Sequence, residues 1–111
     1  MLGMIYGSST DKGAVGNIIA GEIQRKKHNT DVIVERKGNK EGVDVEIPSQ
    51  RKLIEVGMCT NEKNLFTTLS NTEIKAIRRL RQPKYKDYIA EVMAIYIDKK
   101  NGHLKYIERG I

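Results

Sequence analysis

The segment from Glu41 to Met58 places the strongest constraint on the fold, because it predicts a β-hairpin whose two faces differ chemically. Two short strands flank a Pro-Ser-Gln-Arg turn at residues 48–51. With the turn centred between positions 49 and 50, Asp44 lies opposite Glu55 on one face. The opposite face is shared by apolar side chains, namely Val43, Val45, Ile47, Ile54 and Val56. The hairpin is therefore apolar on one side and acidic on the other.

Asp44 and Glu55 are thus predicted neighbours on adjacent strands, where two negative charges repel unless a cation compensates them. Mg²⁺ is a cation of the right kind, because it binds one or two carboxylates and completes its shell with water and phosphate oxygens. The alternative is the solvent-facing side of an antiparallel sheet, where acidic residues are ordinary. These residues alone leave both interpretations open.

Length and composition indicate one soluble domain spanning residues 1–111. The chain is 39% hydrophobic and 31% charged, and no apolar run approaches the roughly 18 residues that a membrane span requires. No signal peptide is visible in the sequence. Cys59 is the one cysteine, which excludes an intramolecular disulfide. We therefore expect a cytoplasmic protein that does not bind a membrane.

The chain carries a formal net charge of +6, and much of the excess lies between Lys75 and Lys86, a run without acidic residues. Such a run favours a polyanionic partner, nucleic acid above all, because it neutralises phosphates and releases their counterions. The alternative is a solvated face of a lysine-rich helix. The predicted nucleic-acid-binding residues are Lys75, Arg78, Arg79, Arg81, Lys84 and Lys86.

A first helix is predicted from about Asp11 to Lys27, because apolar residues recur there at helical spacing; they are Val15, Ile18, Ile19 and Ile23. Glu22 falls inside this stripe. It either faces the interior, where it needs a metal or a lysine, or escapes to water at the margin of the stripe. The sequence leaves these two placements open.

The remaining elements follow from local signals. A strand is predicted over residues 31–36, and a second helix from Thr72, where Ser70 and Glu73 have capping-box spacing, to a point before Pro83. The buried side of that helix is predicted to consist of Ile74, Ile77 and Leu80.

A second hairpin is predicted near the end of the printed sequence, with strands over residues 88–97 and 103–108. Asn101-Gly102 favours a type I′ turn between them, because both residues tolerate positive φ. The complete order is helix, three strands, helix, two strands. It predicts an α/β or α+β domain in which a mixed central β-sheet is flanked by helices.

These elements together resemble the PD-(D/E)XK, or restriction-endonuclease-like, superfamily, and are most similar to small Holliday junction resolvases and Mrr-like domains. The resemblance extends from about Lys12 to Ile107 and is carried by Asp44 on one strand and by residues 54–56, Ile-Glu-Val, on the next. It implies a Mg²⁺- or Mn²⁺-dependent endonuclease acting on branched or duplex DNA as a homodimer. It also implies that Asp44 and Glu55 are catalytic metal ligands, with Glu22 as a third ligand.

The sequence departs from the family pattern at two positions. Val43 replaces the proline of the motif, and Gly57 stands where the motif has a catalytic lysine. Glycine cannot supply the missing cation, which would have to come from Lys37, Lys52 or Lys75; of these, we predict Lys75 as the catalytic residue. Without such a cation, the resemblance implies a degenerate nuclease fold that binds nucleic acid or a partner protein without cleavage. The sequence leaves the enzymatic activity open.

Overall fold

The computed structural model of the protein describes residues 9–28, 31–34 and 43–111. It shows a mixed α and β protein with a five-stranded sheet and two α-helices, in the predicted order. The elements are α1 (Ser9–His28), β1 (Ile33–Val34), β2 (Val45–Ile47), β3 (Lys52–Cys59), α2 (Leu65–Leu80), β4 (Ile89–Ile97) and β5 (Leu104–Gly110). Neither helix has the length and apolar character needed to cross a membrane in the described part of the chain.

The strands lie in the sheet in chain order, β1-β2-β3-β4-β5. β3 and β4 are parallel, and the other neighbouring strands are antiparallel. A parallel pair needs a crossover connection, because its strands start at the same edge of the sheet. Helix α2 is that crossover, so its carboxyl end returns to the edge at which β3 begins.

Each face of the sheet packs against one helix. On one face, Ile54 and Val56 pack with Val15 and Ala20 of α1. On the other face, apolar side chains of β3 and β4 pack against α2; this layer includes Leu53, Val92, Ala94, Leu65, Leu69 and Ala76. The helices therefore flank a mixed sheet, as predicted.

The first hairpin has the predicted register, with Val45 opposite Ile54 and Glu46 opposite Leu53. Its turn is a short 3₁₀ helix at Pro48–Gln50, followed by Arg51 in the left-handed region at φ 48°. Four of the five predicted apolar residues share the α1 face: Val45, Ile47, Ile54 and Val56. The prediction for Val43 is wrong, because this residue precedes the regular strand and packs in the α2 layer.

The predicted start of the second helix is wrong, because α2 begins at Leu65 instead of Thr72. A short 3₁₀ turn at Glu62–Asn64, capped by the Asn61 side chain, leads directly into the helix. The helix starts about two turns earlier, and its buried residues are Leu65, Leu69, Thr72 and Ala76. Of the predicted buried set, Ile74 and Ile77 are 53% and 40% exposed, and Leu80 is partly buried.

The second hairpin forms as β4 and β5, but its turn differs from the predicted type. Gly102 has a φ of 70°, whereas Asn101 is not among the described residues with positive φ. A type I′ turn needs positive φ at both central residues. The Gly102 N–H instead donates to the Asp98 carbonyl at 2.7 Å, which closes a longer turn.

Gly57 in β3 allows α2 to approach the sheet closely. A Cβ atom added at Gly57 would lie 2.5 Å from Thr72 Oγ1 and 2.6 Å from Thr68 Cγ2. The Thr72 hydroxyl is held in place, because it donates to the Thr68 carbonyl at 2.7 Å. Any side chain at position 57 must therefore push the helix away from the sheet.

We expect Gly57→Ala to lower the free energy of unfolding by about 1–3 kcal/mol, because it overpacks a tight helix–sheet contact. Gly110→Ala is the matched control, since a Cβ atom there meets nothing within 4 Å; its effect should stay within about 0.5 kcal/mol. Urea denaturation of both variants measures the difference. Equal stability of the two variants would contradict the close packing at Gly57.

Candidate functional site

The structure brings Asp44 and Glu55 together where β2 begins beside the middle of β3. Two hydrogen bonds connect the strands at this point: the Asp44 N–H donates to Glu55 Oε2 at 3.1 Å, and the Val56 N–H donates to Asp44 Oδ2 at 2.8 Å. Each carboxylate is thus held by a backbone amide of the neighbouring strand. Because these contacts fix both side chains, the pair is a preorganised acidic centre.

The two carboxylates differ in their access to water. Glu55 is only 1% exposed, whereas Asp44 is half-buried at the edge of the pair. A buried carboxylate is costly unless it is neutralised or paired with a cation. Glu55 therefore needs a partner, and Asp44 is the member of the pair that an outside ligand can reach.

Arg79 supplies that partner from the last turn of α2. Its Nε atom donates to Glu55 Oε1 at 2.9 Å, and the arginine side chain is only 19% exposed. The absence of a side chain at Gly57 makes this reach feasible, because it lets α2 lie against β3 two helical turns before Arg79. A partly desolvated ion pair of this kind is stronger than a surface pair.

One arginine does not fully compensate two carboxylates. Burial, followed by the charge of Asp44, raises the pKa of Glu55 to about 7, although the hydrogen bond from Arg79 opposes the rise. A raised carboxyl pKa means that the ionised form is disfavoured where it lies. The centre therefore favours one further positive charge, either a proton or a metal cation.

Asn17 contributes to the site from the opposite face of the sheet. Its Nδ2 atom donates to Asp44 Oδ1 at 3.4 Å, and the residue is 7% exposed. The sequence prediction missed Asn17, because the stripe of apolar residues in α1 was taken as its buried side. A buried side made of small and polar residues was the signal available; it comprises Gly16, Asn17, Ala20, Gly21 and Gln24.

Of the two placements that the sequence leaves open for Glu22, the structure has the one at the margin of the stripe, in contact with water. Glu22 is exposed and pairs with Arg25 on the outer side of α1. The helix is rotated because Gly16 and Gly21 lie against Met58 and Val34, and this close approach turns Glu22 toward water. The structure does not bring Glu22 to Asp44 and Glu55, and the described residues contain no group of three or more Asp, Glu, His or Cys side chains that could hold a metal ion.

Of the three lysines predicted as possible substitutes for the motif cation, Lys52 and Lys75 lie within the described residues, and neither is paired with Asp44 or Glu55 there. Lys52 is buried and pairs with Glu91 at 2.9 Å. Lys75 is exposed on α2, one turn before Arg79. Lys37 lies outside the described residues. Among the described side chains, Arg79 is the cation recorded in contact with Glu55.

The remaining basic residues of the run lie in the second half of α2 and in the segment that follows it. Arg79 is engaged with Glu55, whereas the other members of the run are exposed: Lys75, Arg78, Arg81, Lys84 and Lys86. We call these five residues the basic surface. The Lys84 ammonium lies 5.4 Å from the centre of the buried Tyr85 ring, so a cation–π contact anchors one end of this surface.

The donor set at the pair is compatible with Mg²⁺ or Mn²⁺. Asp44 and Glu55 offer carboxylate oxygens, which are hard ligands suited to these ions. Burial, followed by the charge of Asp44, raises the pKa of Glu55, so a further cation at the pair would stabilise the ionised form. Mg²⁺ needs no more than one or two protein carboxylates, so the residues present fit such an ion.

Comparison with known proteins adds no relative, since no protein-family model, curated protein or solved structure matches this chain. The resemblance to the PD-(D/E)XK superfamily therefore stays a prediction from the residues around Asp44 and Glu55.

The pKa of Glu55 predicts a pH-dependent stability. Between about pH 4.5 and pH 7, folded Glu55 keeps a proton that the unfolded chain releases, so stability falls as pH rises through this window. The loss is on the order of 3 kcal/mol. Glu55→Gln removes this loss, and we expect its stability relative to the wild type to increase from pH 5 to pH 8 in urea denaturation.

Glu22→Gln is the control for this measurement, because it removes an exposed carboxyl group outside the centre. It should keep the pH dependence of the wild type. Parallel stability curves for Glu55→Gln and the wild type would contradict the buried, partly protonated state of Glu55.

Proposed function

We propose that this chain is a metal-dependent nuclease that hydrolyses phosphodiester bonds of DNA at the Asp44–Glu55 pair. The observation that carries the proposal is the paired, preorganised carboxylates with one arginine, supplied by a helix that also carries exposed basic residues. A polyanionic substrate held by the basic surface would have its phosphates close to the acidic centre. We propose branched or duplex DNA as the substrate and the cytoplasm as the location.

The side chains have separable roles in this proposal. Asp44 and Glu55 would hold Mg²⁺ or Mn²⁺, which supplies phosphate polarisation and a water of lowered pKa. Asn17 orients Asp44 through its amide N–H. Arg79 orients Glu55 and provides the fixed positive charge that the motif lysine would provide.

The basic surface serves to position the substrate. Phosphate contacts from lysine and arginine fix the register of a nucleic acid without reading its sequence. Lys75 lies one turn from Arg79 and is exposed, so we assign it to the phosphate nearest the centre. Cutting both strands of a duplex would require two such centres, and a symmetric homodimer is the ordinary way to supply them.

One observation favours a second function, binding without cleavage. Each of the four oxygens of Asp44 and Glu55 already accepts a hydrogen bond, from Asn17, Val56, Asp44 itself and Arg79. In this arrangement Glu55 is compensated by arginine, and the pair can serve to hold the hairpin and α2 together. A protein of this kind would bind nucleic acid through the basic surface alone.

Cleavage of labelled duplex, branched and single-stranded DNA in Mg²⁺ or Mn²⁺ distinguishes the two functions. For the nuclease, we expect Asp44→Asn and Glu55→Gln each to reduce the cleavage rate at least about 100-fold, because each removes charge from the reacting centre. Glu22→Gln is the matched control and should cleave at the wild-type rate, since Glu22 pairs with Arg25 away from the centre.

The outcomes distinguish the nuclease from the protein that binds without cleavage. Loss of cleavage in EDTA and in both site variants, with retention in Glu22→Gln, supports the nuclease. DNA binding in EDTA without cleavage in any metal supports the binding protein. Equal loss in Glu22→Gln would contradict the assignment of the centre to Asp44 and Glu55.

We expect Arg78→Glu and Arg81→Glu each to weaken DNA binding by a similar factor for all sequences, because phosphate contacts carry no sequence information. Each variant should also lower the slope of log affinity against log salt by about 1. Fluorescence anisotropy in EDTA at several salt concentrations measures both effects. Lys26→Glu on α1 makes the same change in net charge away from the run, and an equal effect of this control would contradict a local binding surface.

A further inference from the structure

Strand β5 forms one edge of the sheet, since β4 is its one neighbour among the described strands. The two strands pair at seven consecutive positions without a bulge, from Leu104 opposite Ile97 to Gly110 opposite Glu91. A regular edge strand presents unpaired backbone groups to which another strand can add, and proline residues and bulges are common obstacles to such pairing. β5 contains neither, so its outer side can accept another strand.

The hydrogen bonds at the two ends of the β4–β5 pair show which backbone groups of β5 point outward. The Asp98 N–H donates to the His103 carbonyl at 2.8 Å, and the Ile111 N–H donates to the Ala90 carbonyl at 3.0 Å. In an antiparallel pair, hydrogen-bonded positions alternate with positions that are not hydrogen-bonded. The odd-numbered residues of β5 therefore bond to β4. The even-numbered residues direct their N–H and C=O groups away from β4; they are Leu104, Tyr106, Glu108 and Gly110.

The charged side chains of β5 do not protect this edge either, because each is paired within the chain. The ion pairs are Lys105–Glu62, Glu108–Lys27 and Arg109–Glu73. An uncompensated charge on an edge strand keeps other strands away, whereas the field of a paired charge is largely cancelled. The edge thus lacks the common devices that prevent strand addition.

Exposed apolar side chains lie along this edge on both faces of the sheet. On the α1 face, Leu104 and Tyr106 are 37% and 40% exposed. On the α2 face, Glu73 pairs with β5, and Phe66 and Ile77 lie on the same side of the helix, seven residues before and four residues after it. Phe66 and Ile77 are 68% and 40% exposed. A strand added to β5 would bring its own side chains toward these residues.

We propose that two copies of this chain pair antiparallel through β5, about a twofold axis at Tyr106. A second copy is the occupant because the edge is complementary to itself: the outward N–H and C=O groups of Tyr106 meet those of the same residue in the other copy. Leu104 exchanges the next hydrogen bonds with Glu108 of the other copy, on both sides of the axis. The two Tyr106 side chains lie opposite each other on the α1 face, and the two sheets become one continuous sheet.

Charge selects this axis over its neighbours. An axis at Ile107 places Lys105 directly opposite Arg109 of the other copy, and an axis at Lys105 or Glu108 places that charge opposite itself. Like charges directly opposite each other destabilise a strand pair. With the axis at Tyr106, Lys105 lies opposite Ile107, and no like charges meet within the strand.

The pairing gives an interface to the homodimer of the proposed function. Because the axis is perpendicular to the sheet, both acidic centres lie on the same face. The two β3 strands are five strand spacings of about 4.8 Å apart, or roughly 24 Å across the sheet. One dimer therefore presents two centres to a duplex that lies along this face. The use of the dimer in cleavage rests on the proposed function, whereas the pairing of β5 does not.

Sedimentation equilibrium in EDTA without DNA measures the association independently of metal and of cleavage. We expect the wild type to convert, as its concentration rises, from 12.6 kDa to twice that mass. Tyr106→Pro should raise the dissociation constant at least about tenfold, because each copy loses an outward hydrogen-bond donor. The β4–β5 pair tolerates this proline, since the Tyr106 N–H points away from β4 and edge strands accept proline at such positions.

Tyr106→Glu is a second variant, which leaves the backbone donor in place. It puts two carboxylates directly opposite each other at the axis, so it should weaken association by a similar factor. Ile33→Glu is the matched control, because Ile33 is 57% exposed at the opposite edge of the sheet. The dissociation constant of this control should equal that of the wild type. Far-UV circular dichroism shows whether each variant is folded.

A disulfide tests the register of the two copies. In a Cys59→Ser background, which removes the one native cysteine, Tyr106→Cys should form a covalent dimer under mild oxidation. Residues opposite each other at a hydrogen-bonded position have Cα atoms about 5.5 Å apart, which a disulfide spans. Leu104→Cys is the control on the same face. Its copies lie four residues apart along the strands, or about 13 Å, and should crosslink much more slowly.

Three results would overturn the proposal: a wild type that stays monomeric up to about 1 mM, equal weakening by Tyr106→Glu and Ile33→Glu, or crosslinking of Leu104→Cys as fast as that of Tyr106→Cys. The nuclease assay fails or succeeds separately. A dimer of this register that does not cleave DNA keeps the interface and contradicts the nuclease. A nuclease that shows any of the three results keeps the acidic centre and contradicts the interface.

Discussion

The burial of Glu55 is the constraint on which the rest of the structure depends. A carboxylate at 1% exposure in the middle of a sheet must receive hydrogen bonds and a positive charge. The Asp44 N–H donates a hydrogen bond to Glu55, and Arg79 supplies the positive charge. Arg79 reaches Glu55 only if α2 lies close to β3 and is long enough for its last turn to pass Glu55. Gly57 allows the close approach, and the start of the helix at Leu65 gives the length.

Glycine also allows close packing of a helix on the opposite face of the sheet. Gly16 and Gly21 let α1 approach Met58 and Val34 so closely that added side chains would collide with them. This approach carries Asn17 to Asp44. Both helices therefore reach the acidic pair because glycine removes a side chain at the contact, and the pair is held from two sides of the sheet.

This packing explains which features the sequence predicts and which it does not. The register of the hairpin is predictable, because a period of two residues and the turn at Pro48 leave one alignment that buries the valines and isoleucines. The juxtaposition of Asp44 and Glu55 follows from that register. The strand order and the crossover helix follow from the order of the elements.

The buried faces of the two helices could not be predicted in the same way, because hydropathy does not indicate where a helix packs closely against the sheet. Threonine, alanine, glycine and asparagine face the sheet where the helices approach it, whereas Ile18, Ile74 and Ile77 stay partly exposed. Hydropathy consequently leaves the placement of Glu22 open and gives no sign that Asn17 is buried. Arg79 was predicted as a phosphate contact, because nothing local distinguishes it from Arg78; its ion pair depends on the distance between α2 and β3.

The charge balance at the acidic pair connects this packing to function. Within the described residues, the two carboxylates and one guanidinium leave a deficit of one positive charge, and burial, followed by the charge of Asp44, raises the pKa of Glu55 to about 7. A proton that fills it makes the pair a structural element connecting the hairpin to α2. A divalent cation that fills it would give the same atoms the hydrolytic role proposed for them. A lysine at position 57 would have filled the deficit from within β3, but its side chain would displace α2 and with it Arg79. Glycine at position 57 therefore lacks the cation of the motif lysine, but it allows α2 to place Arg79 against Glu55. Whether a proton or a metal ion supplies the remaining positive charge depends on what binds at Asp44.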